Sequence, residues 1–188
     1  MKDEAFIRGK NPMTKMEVRG TIISYLELES AHSVLEVGAG TGSVTIQMLK
    51  TNPTLSVVAI EKTSEGTELI RLNAEKHGVT LEILEGEAST LLKTVSKKFD
   101  RVYLGGTGRY LSEIMAEITP KLEEGAVIVF SVITLESLNE IFAYVKDNEA
   151  FKDLEASQIQ ASRLEMLGSY HYFKPLNPCY VIKVTYGS

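Results

Sequence analysis

The stretch Glu36–Gly42, with the sequence EVGAGTG, decides the fold because it joins a short apolar run to a helical pattern. Ser33–Val37 has the composition of a buried strand, and Ser43–Lys50 carries apolar residues at helical spacing. Glycines between them allow a tight turn, close approach of a ligand to the backbone and close packing of the helix on the strand. The helix N-terminus adds free N–H groups and positive potential. The stretch therefore predicts a ligand-binding strand–turn–helix unit.

The spacing within this loop separates two kinds of cofactor. A dinucleotide-binding loop has the pattern G-x-G-x-x-G, but Ser43 occupies the sixth position here. The observed pattern is G-x-G-x-G preceded by Glu36, whose carboxylate would repel a pyrophosphate and attract the cationic amino-acid end of S-adenosylmethionine. Glu61 ends the next predicted strand about 20 residues later, where a carboxylate can accept both ribose hydroxyls. The loop thus predicts S-adenosylmethionine as the cofactor.

Strand and helix patterns alternate on both sides of the loop. Further strands are predicted at Leu55–Glu61, Leu81–Leu84, Asp100–Leu104 and Ala126–Val132, with helices at Thr14–Leu26, Ser64–His77, Ser112–Ile118 and Leu135–Val145. This order predicts a Rossmann-like α/β fold with a mostly parallel, seven-stranded sheet.

After residue 150 the pattern changes. We predict two antiparallel strands, Ser157–Leu164 and Tyr180–Tyr186, joined by a loop that holds Gly168, Pro175 and Pro178. The chain is predicted to be one domain, with an N-terminal lid and helix (1–30), a cofactor-binding core (31–150) and a terminal antiparallel hairpin (151–188).

Thr14 precedes the first helix in the pattern Thr14-Lys15-Met16-Glu17, which is that of a capping box. In a capping box the threonine hydroxyl and the glutamate each satisfy an amide at the helix start. A cap beside the cofactor cleft can also contact the ligand, so both roles are predicted for Thr14.

Composition excludes several classes of protein. The net charge of −5 argues against nucleic acid as the main partner. No apolar run is long enough to span a membrane. A single cysteine, Cys179, forms no disulfide framework and suits a cytoplasmic location. The three histidines are scattered without metal-ligand spacing, so no metal site is predicted.

Two further loops follow predicted strands. Gly86-Glu87-Ala88 follows the third strand, where this fold places the adenine of the cofactor. Gly105 and Gly106 follow the fourth strand, at the position of the reacting atom of the substrate. Amino-methylating DNA and protein enzymes have a proline-rich motif there, and the glycines of this chain leave space for a large, flat substrate instead.

These residues together resemble the decarboxylating cobalt-precorrin-6B C(15)-methyltransferases of cobalamin biosynthesis. The resemblance extends over nearly the whole chain, and its most particular markers are Pro12–Lys15 and the glycine pair after the fourth strand. The other markers, in chain order, are Phe6–Arg8, Glu17–Arg19, Gly38–Val44, Ala59–Glu61, Gly86–Ala88, Thr134–Glu136 and Asn177-Pro178. The chain departs from the family at Glu87, where aspartate is common, and at Glu124–Ala126, where a glycine pair is replaced.

The resemblance implies cofactor contacts at Thr14, at the glycine loop, at Glu61 and at Ala88. The predicted cofactor set is Thr14, Glu36, Gly38, Ala39, Gly40, Thr41, Gly42, Glu61, Lys62, Glu87 and Ala88. The resemblance also implies a homo-oligomer, commonly a tetramer, with the terminal hairpin as interface. The implied reaction methylates carbon 15 of a corrin precursor and removes carbon dioxide from the ring C acetate. No enzymic nucleophile is needed, so no catalytic side chain is predicted.

A corrin precursor carries many carboxylates, and residues 1–20 hold five basic side chains against three acidic ones. The predicted substrate set is Arg8, Lys10, Lys15, Gly105, Gly106 and Arg109, in which the cations bind carboxylates. Two alternatives remain at this point. In the first, the chain would be a small-molecule or protein methyltransferase without a tetrapyrrole substrate. In the second, it would be a cofactor-binding subunit for a partner such as the methyltransferase that acts at carbon 5.

Overall fold

The computed structural model describes residues 1–106 and 110–187. A seven-stranded sheet forms the centre of the fold. Its strands are β1 (Ser33–Val37), β2 (Ser56–Glu61), β3 (Glu82–Glu85), β4 (Phe99–Gly105), β5 (Leu122–Val132), β6 (Phe151–Ile159) and β9 (Cys179–Tyr186). Their order in the sheet is β3-β2-β1-β4-β5-β9-β6. The first five are parallel to one another, and β9 is antiparallel to both β5 and β6. The predicted fold class, a mostly parallel seven-stranded sheet, is confirmed.

Helices cover both faces of the sheet. They are α1 (Met16–Tyr25), α2 (Ser43–Thr51), α3 (Ser64–His77), the single turn α4 (Ala88–Leu91), α5 (Leu111–Ile118) and α6 (Leu135–Lys146). One apolar layer joins α1 and α2 to the sheet through residues such as Ile22 and Met48. The other joins α5 and α6 to the opposite face through residues such as Met115 and Ile141. Because both faces of the sheet are covered, nearly every residue of β1 and β4 is buried, and β5 is continuously apolar from Ala126 to Phe130.

The region after residue 159 differs from the prediction. Ser162–Leu167 (β7) pairs with Tyr170–Pro175 (β8) in a separate antiparallel hairpin, and β8 lies where a loop was predicted. The predicted strand Ser157–Leu164 is wrong in its bounds, because β6 ends at Ile159 and β7 begins only at Ser162. Gly168, at φ +62°, permits the turn between the hairpin strands. The predicted antiparallel finish is retained by β6 and β9, and the hairpin is inserted between them.

The predicted capping box is also wrong. Helix α1 begins at Met16, and its N-cap is Lys15, whose side chain makes no cap hydrogen bond. Arg19 is the physical reason: its fully buried guanidinium donates to the carbonyl oxygen of Thr14 at 2.6 Å and to that of Met1 at 2.8 Å. It also pairs with buried Asp3 at 3.2 Å. This buried cation ties the N-terminal segment to α1 and leaves the Thr14 side chain free to face the sheet.

A second polar side chain fixes the N-terminal segment against α3. Asn73 of α3 accepts from the amide of Ile7 at 2.7 Å and donates to the carbonyls of Ile7 and Thr41 at 3.0 and 2.9 Å. Because Thr41 belongs to the glycine loop, Asn73 joins that loop to the N-terminal segment. The path of the chain then carries Pro12–Lys15 across the carboxyl ends of the parallel strands.

Candidate active site

A cleft of about 1210 Å³ lies at the carboxyl ends of β1, β2, β4 and β5, under residues 11–15. In open parallel sheets this edge, where the strand order reverses, is the usual place for a ligand. Its lining includes thirteen of the predicted residues: Thr14, Lys15, Glu36, Gly38, Ala39, Gly40, Thr41, Glu61, Lys62, Glu87, Ala88, Gly105 and Gly106. The structure therefore brings most of the predicted cofactor set and part of the predicted substrate set into one cavity.

Three predicted residues are not in the described lining, and a fourth lies outside the described residues. Gly42 instead forms the N-cap of α2 at φ +74°, and a Cβ there would lie 3.3 Å from Ile70 of α3, so it serves helix packing. Arg8 and Lys10 are absent from the described lining of the cleft, and the Lys10 amide donates to Glu65 at 3.0 Å. Arg109 lies outside the described residues. Of the cations predicted to bind carboxylates, Lys15 is the one that lines the described part of the cleft.

The glycine loop carries a close approach that only glycine allows. Gly38 has φ +79°, and a Cβ there would lie 2.2 Å from the carbonyl oxygen of Gly105. The amide of Gly38 donates to the Ile60 carbonyl at 2.9 Å, which fixes the loop on β2. The ends of β1 and β4 therefore touch at Gly38 and Gly105, directly below the cleft.

Glu61 is buried at the end of β2 and holds the loops around it. One carboxylate oxygen accepts from the Gly40 amide at 2.9 Å. The other accepts from the amide and hydroxyl of Thr63 at 3.0 and 2.8 Å. The carboxylate lines the cleft as a pre-oriented acceptor, the group that a vicinal diol requires.

Glu36 lies in register with Tyr103 on β4 and is nearly inaccessible to solvent. Its carboxyl group accepts a hydrogen bond from the hydroxyl of Thr45 on α2. Burial, together with the nearby negative charge of Glu61, raises the pKa of Glu36 to about 8. A positive group placed in the cleft would favour its ionised form.

Thr41 gives an independent sign that the loop receives a ligand. Its hydroxyl is the buried side-chain polar atom without a hydrogen-bond partner in the described chain. An unpaired buried hydroxyl costs free energy until a partner supplies the missing bond. Thr41 lines the cleft, so a polar ligand in the loop can supply that bond.

Lys62 and Glu87 form an ion pair of 2.5 Å between the loops after β2 and β3. Both side chains are exposed at the cleft mouth. Ala88 follows at the first position of α4. The loop predicted to lie along the adenine thus stands beside the loop that follows Glu61.

The opposite side of the cleft is apolar and open. Tyr110 is 57% exposed and Ile133 is 63% exposed, and both line the cavity. Residues 175–177 bring the base of the hairpin to the same rim. Sequence analysis missed Ile133 and Tyr110, because an exposed apolar residue in a loop carries no periodic signal.

Sequence analysis also missed Tyr103 and Ser131 as residues of the cleft, although one sequence signal pointed to Tyr103. Tyr103 precedes Gly105 by two residues in a strand, and alternate residues of a strand share a face. Its hydroxyl is hydrogen bonded to the Ser131 hydroxyl at 2.7 Å. The side chain of Thr14 interacts with the same hydroxyl.

The strand order, the glycine loop after β1 and the acidic residue that ends β2 define a class I methyltransferase. Residues 4–186 match the family model described as the precorrin methyltransferase domain. A relative from Salmonella typhimurium, named cobalt-precorrin-6B C(15)-methyltransferase (decarboxylating), is 39% identical over 97% of this chain and 94% of its own length. The chain belongs to the precorrin methyltransferase family.

Solved structures agree with this assignment. A crystal structure of precorrin-6y C5,15-methyltransferase from Geobacter metallireducens GS-15 has a TM-score of 0.89 and 28% identity, and the match covers 98% of this chain and 97% of the other. The structure of precorrin 8W decarboxylase from Methanobacterium thermoautotrophicum has a TM-score of 0.88 and 27% identity, with both chains covered completely. None of the described helices is long and apolar enough to cross a membrane.

Proposed function

We propose that this chain transfers a methyl group from S-adenosylmethionine to carbon 15 of cobalt-precorrin-6B and removes carbon dioxide from the ring C acetate. One observation carries the proposal. A single cleft joins a loop suited to S-adenosylmethionine to an open apolar region large enough for a macrocycle, in a member of the precorrin methyltransferase family.

The cofactor end is assigned from the donors and acceptors of the chain. Glu61 binds the ribose hydroxyls, since its carboxylate is buried, oriented and directed into the cleft. Glu36 and Thr41 bind the amino-acid end of the cofactor. The positive charge of that end stabilises the Glu36 carboxylate, and one of its polar atoms forms the hydrogen bond that the Thr41 hydroxyl lacks. Glu87 and Ala88, with Lys62 beside them, border the adenine. S-adenosylmethionine supplies an electrophilic methyl group at this site.

The substrate end is assigned from shape and polarity. Gly105 and Gly106 leave room beside the methyl-transfer position, and the faces of the macrocycle pack on Tyr110 and Ile133. Lys15 binds a peripheral carboxylate, and Arg8, Lys10 and Arg109 remain proposed partners for carboxylates further out. These residues position the two reactants and exclude water. The proposal includes a cytoplasmic location, which suits the buried free thiol of Cys179.

The test is turnover by the purified chain. Precorrin-6B, with and without cobalt, is incubated with S-adenosylmethionine, and the products are analysed by mass. The proposal requires the gain of one methyl group and the loss of one carbon dioxide. Methyl gain on an unrelated substrate, with precorrin-6B unchanged, would refute it.

We also propose that the chain forms a homotetramer through the hairpin β7–β8. Six large apolar residues of the hairpin are exposed: Leu164, Met166, Leu167, Tyr170, Tyr172 and Phe173. The register places Leu164, Met166 and Phe173 on one face of the hairpin, and an exposed apolar face of this kind marks an interaction surface. Light scattering should give a tetramer for the native chain and a smaller species for Phe173→Asp. A native chain that is monomeric at micromolar concentration would refute the assembly.

Similarity to a chain described as a C5,15-methyltransferase supports a second proposal, association with the enzyme that acts at carbon 5. In that case the chain would bind S-adenosylmethionine alone but turn over only with that partner present. Measuring turnover with and without the carbon 5 enzyme separates the two proposals.

A further inference from the structure

The hydroxyl of Tyr103 lies between the two ends of the cleft. Its ring is buried under α1, with only 1% of the residue exposed, and its hydroxyl reaches the cleft lining. A Cβ on Gly105 would lie 3.0 Å from this hydroxyl. The oxygen therefore stands beside the glycine pair, where the proposed function places the reacting carbon of the substrate.

The groups around this hydroxyl come from every neighbouring element. Ser131 of β5 is hydrogen bonded to it at 2.7 Å, and Thr14 before α1 interacts with it. Glu36 of β1 and Cys179 of β9 also face it. Burial raises the pKa values of Tyr103, Glu36 and Cys179. No cation faces the hydroxyl among these groups, so this part of the cleft holds neutral, proton-bearing side chains before the cofactor binds.

The proposed reaction, on which this inference rests, moves one proton internally. At carbon 15 a C–C bond forms as the sulfonium C–S bond breaks, and the C–H bond of that carbon then releases its proton. At the acetate the C–C bond to the carboxylate breaks, and carbon dioxide leaves its electron pair on the methylene carbon. That carbon becomes a methyl group by taking one proton. One proton is released at carbon 15 and one is taken up at the methylene carbon. A proton carrier beside both carbons therefore suffices, and no further reactant is needed.

We propose that Tyr103 is a catalytic residue that carries this proton, with Ser131 as its relay. The hydroxyl donates its proton to the methylene carbon and regains one from carbon 15 through the Tyr103–Ser131 hydrogen bond. Because a buried tyrosinate is costly, donation is coupled to the return of a proton. Glu36 is excluded from this role, since its carboxyl group is bonded to Thr45 and borders the cofactor loop.

The test compares Tyr103→Phe with a matched variant, Tyr25→Phe. Tyr25 makes the same kind of bond, to Ser157 at 2.6 Å, but lies outside the lining of the cleft. In Tyr103→Phe we expect kcat to fall at least about 100-fold, the size of a general acid–base contribution. The KM for precorrin-6B, the Kd for S-adenosylmethionine and the melting temperature should match those of Tyr25→Phe. Ser131→Ala should lower kcat by a smaller factor.

A Tyr103→Phe enzyme that forms the methylated, decarboxylated product within about twofold of the native rate would overturn the assignment. Equal losses of kcat in the Tyr103→Phe and Tyr25→Phe variants would also overturn it, because they would indicate a structural effect. The native enzyme serves as the separate test of the proposed function: if it fails to convert precorrin-6B, the function itself fails, whatever the variants do.

Discussion

The two sides of the cleft are built in opposite ways. On the cofactor side, loops after β1 and β2 are held by buried carboxylates, and the Gly40 amide donates to Glu61. On the substrate side, Ile133 and Tyr110 are exposed and apolar. A small polar ligand requires oriented donors and acceptors, whereas a large flat one gains free energy from covering apolar surface. The difference indicates that the chain has a rigid site for one reactant and an open surface for the other.

The largest effect should come from the point where the two sides touch. Gly38→Ala places a Cβ 2.2 Å from the Gly105 carbonyl, at a φ of +79°. We expect loss of the folded state or of all cofactor binding, measured by chemical unfolding and calorimetry. Gly78→Ala is the control, since its φ is +60° with no atom within 4 Å, and it should cost only about 1 kcal/mol of stability. Equal stability of the two variants would contradict the close contact.

The next effect tests the cofactor side alone. Glu61→Gln removes the charge that accepts from Gly40 and Thr63. Hydrogen bonds to charged groups are worth about 1.5–3 kcal/mol, so S-adenosylmethionine should bind about 10- to 100-fold more weakly by calorimetry. Glu82→Gln on neighbouring β3, which is exposed, should bind normally. Unchanged affinity in Glu61→Gln would place the ribose elsewhere.

The pH dependence of cofactor binding follows from Glu36. With its pKa at about 8, the free protein holds Glu36 protonated at pH 7, and a cationic ligand favours the ionised form. Affinity should therefore rise about fivefold from pH 7 to 8, level off only above about pH 9, and lose this slope in Glu36→Gln.

Stability should change in the opposite direction with pH. Because folding raises the pKa of Glu36 from 4.5, its contribution to stability is complete below pH 4.5 and is lost as pH rises to about 8. Urea unfolding of the native chain and of Glu36→Gln across this range measures the difference. A difference between the two that is independent of pH would exclude the raised pKa.

A smaller effect is expected on the substrate side. Ile133→Asp removes exposed apolar surface at the cleft rim. Partial burial of such a side chain is worth about 1 kcal/mol, so the KM for the corrin substrate should rise about fivefold. The Kd for S-adenosylmethionine should stay the same. A matching loss in both constants would show that the two sides are not independent.

The smallest effect should come from the ion pair at the cleft mouth. Lys62 and Glu87 are both exposed, so solvent and salt screen their attraction. Lys62→Met should leave the melting temperature unchanged within error. A fall in the melting temperature that added salt abolishes would instead show that this pair stabilises the fold.

Much of the cofactor side could be predicted because its signals are local. The bounds of α3 agree with the prediction at both ends, since Thr63 caps the helix start and Gly78 ends it at φ +60°. The hairpin β7–β8 could not be predicted in this way. All residues of its strands except the half-buried Arg163 are exposed, and the strands form a two-stranded sheet of their own, so they lack the burial that makes apolar periodicity visible.

The sequence by itself determined the α/β order, the glycine loop and the acidic residues that face it, because turns, caps and alternating apolar runs depend on neighbouring residues. Tertiary structure decided what meets across the cleft. The Arg19 guanidinium donates to the Thr14 carbonyl oxygen, and Thr14 does not form the predicted capping box of α1. Tyr103 and Ser131 meet only when β4 and β5 pair. These contacts join residues distant in sequence, and their partners are set by packing of the whole sheet rather than by any local pattern.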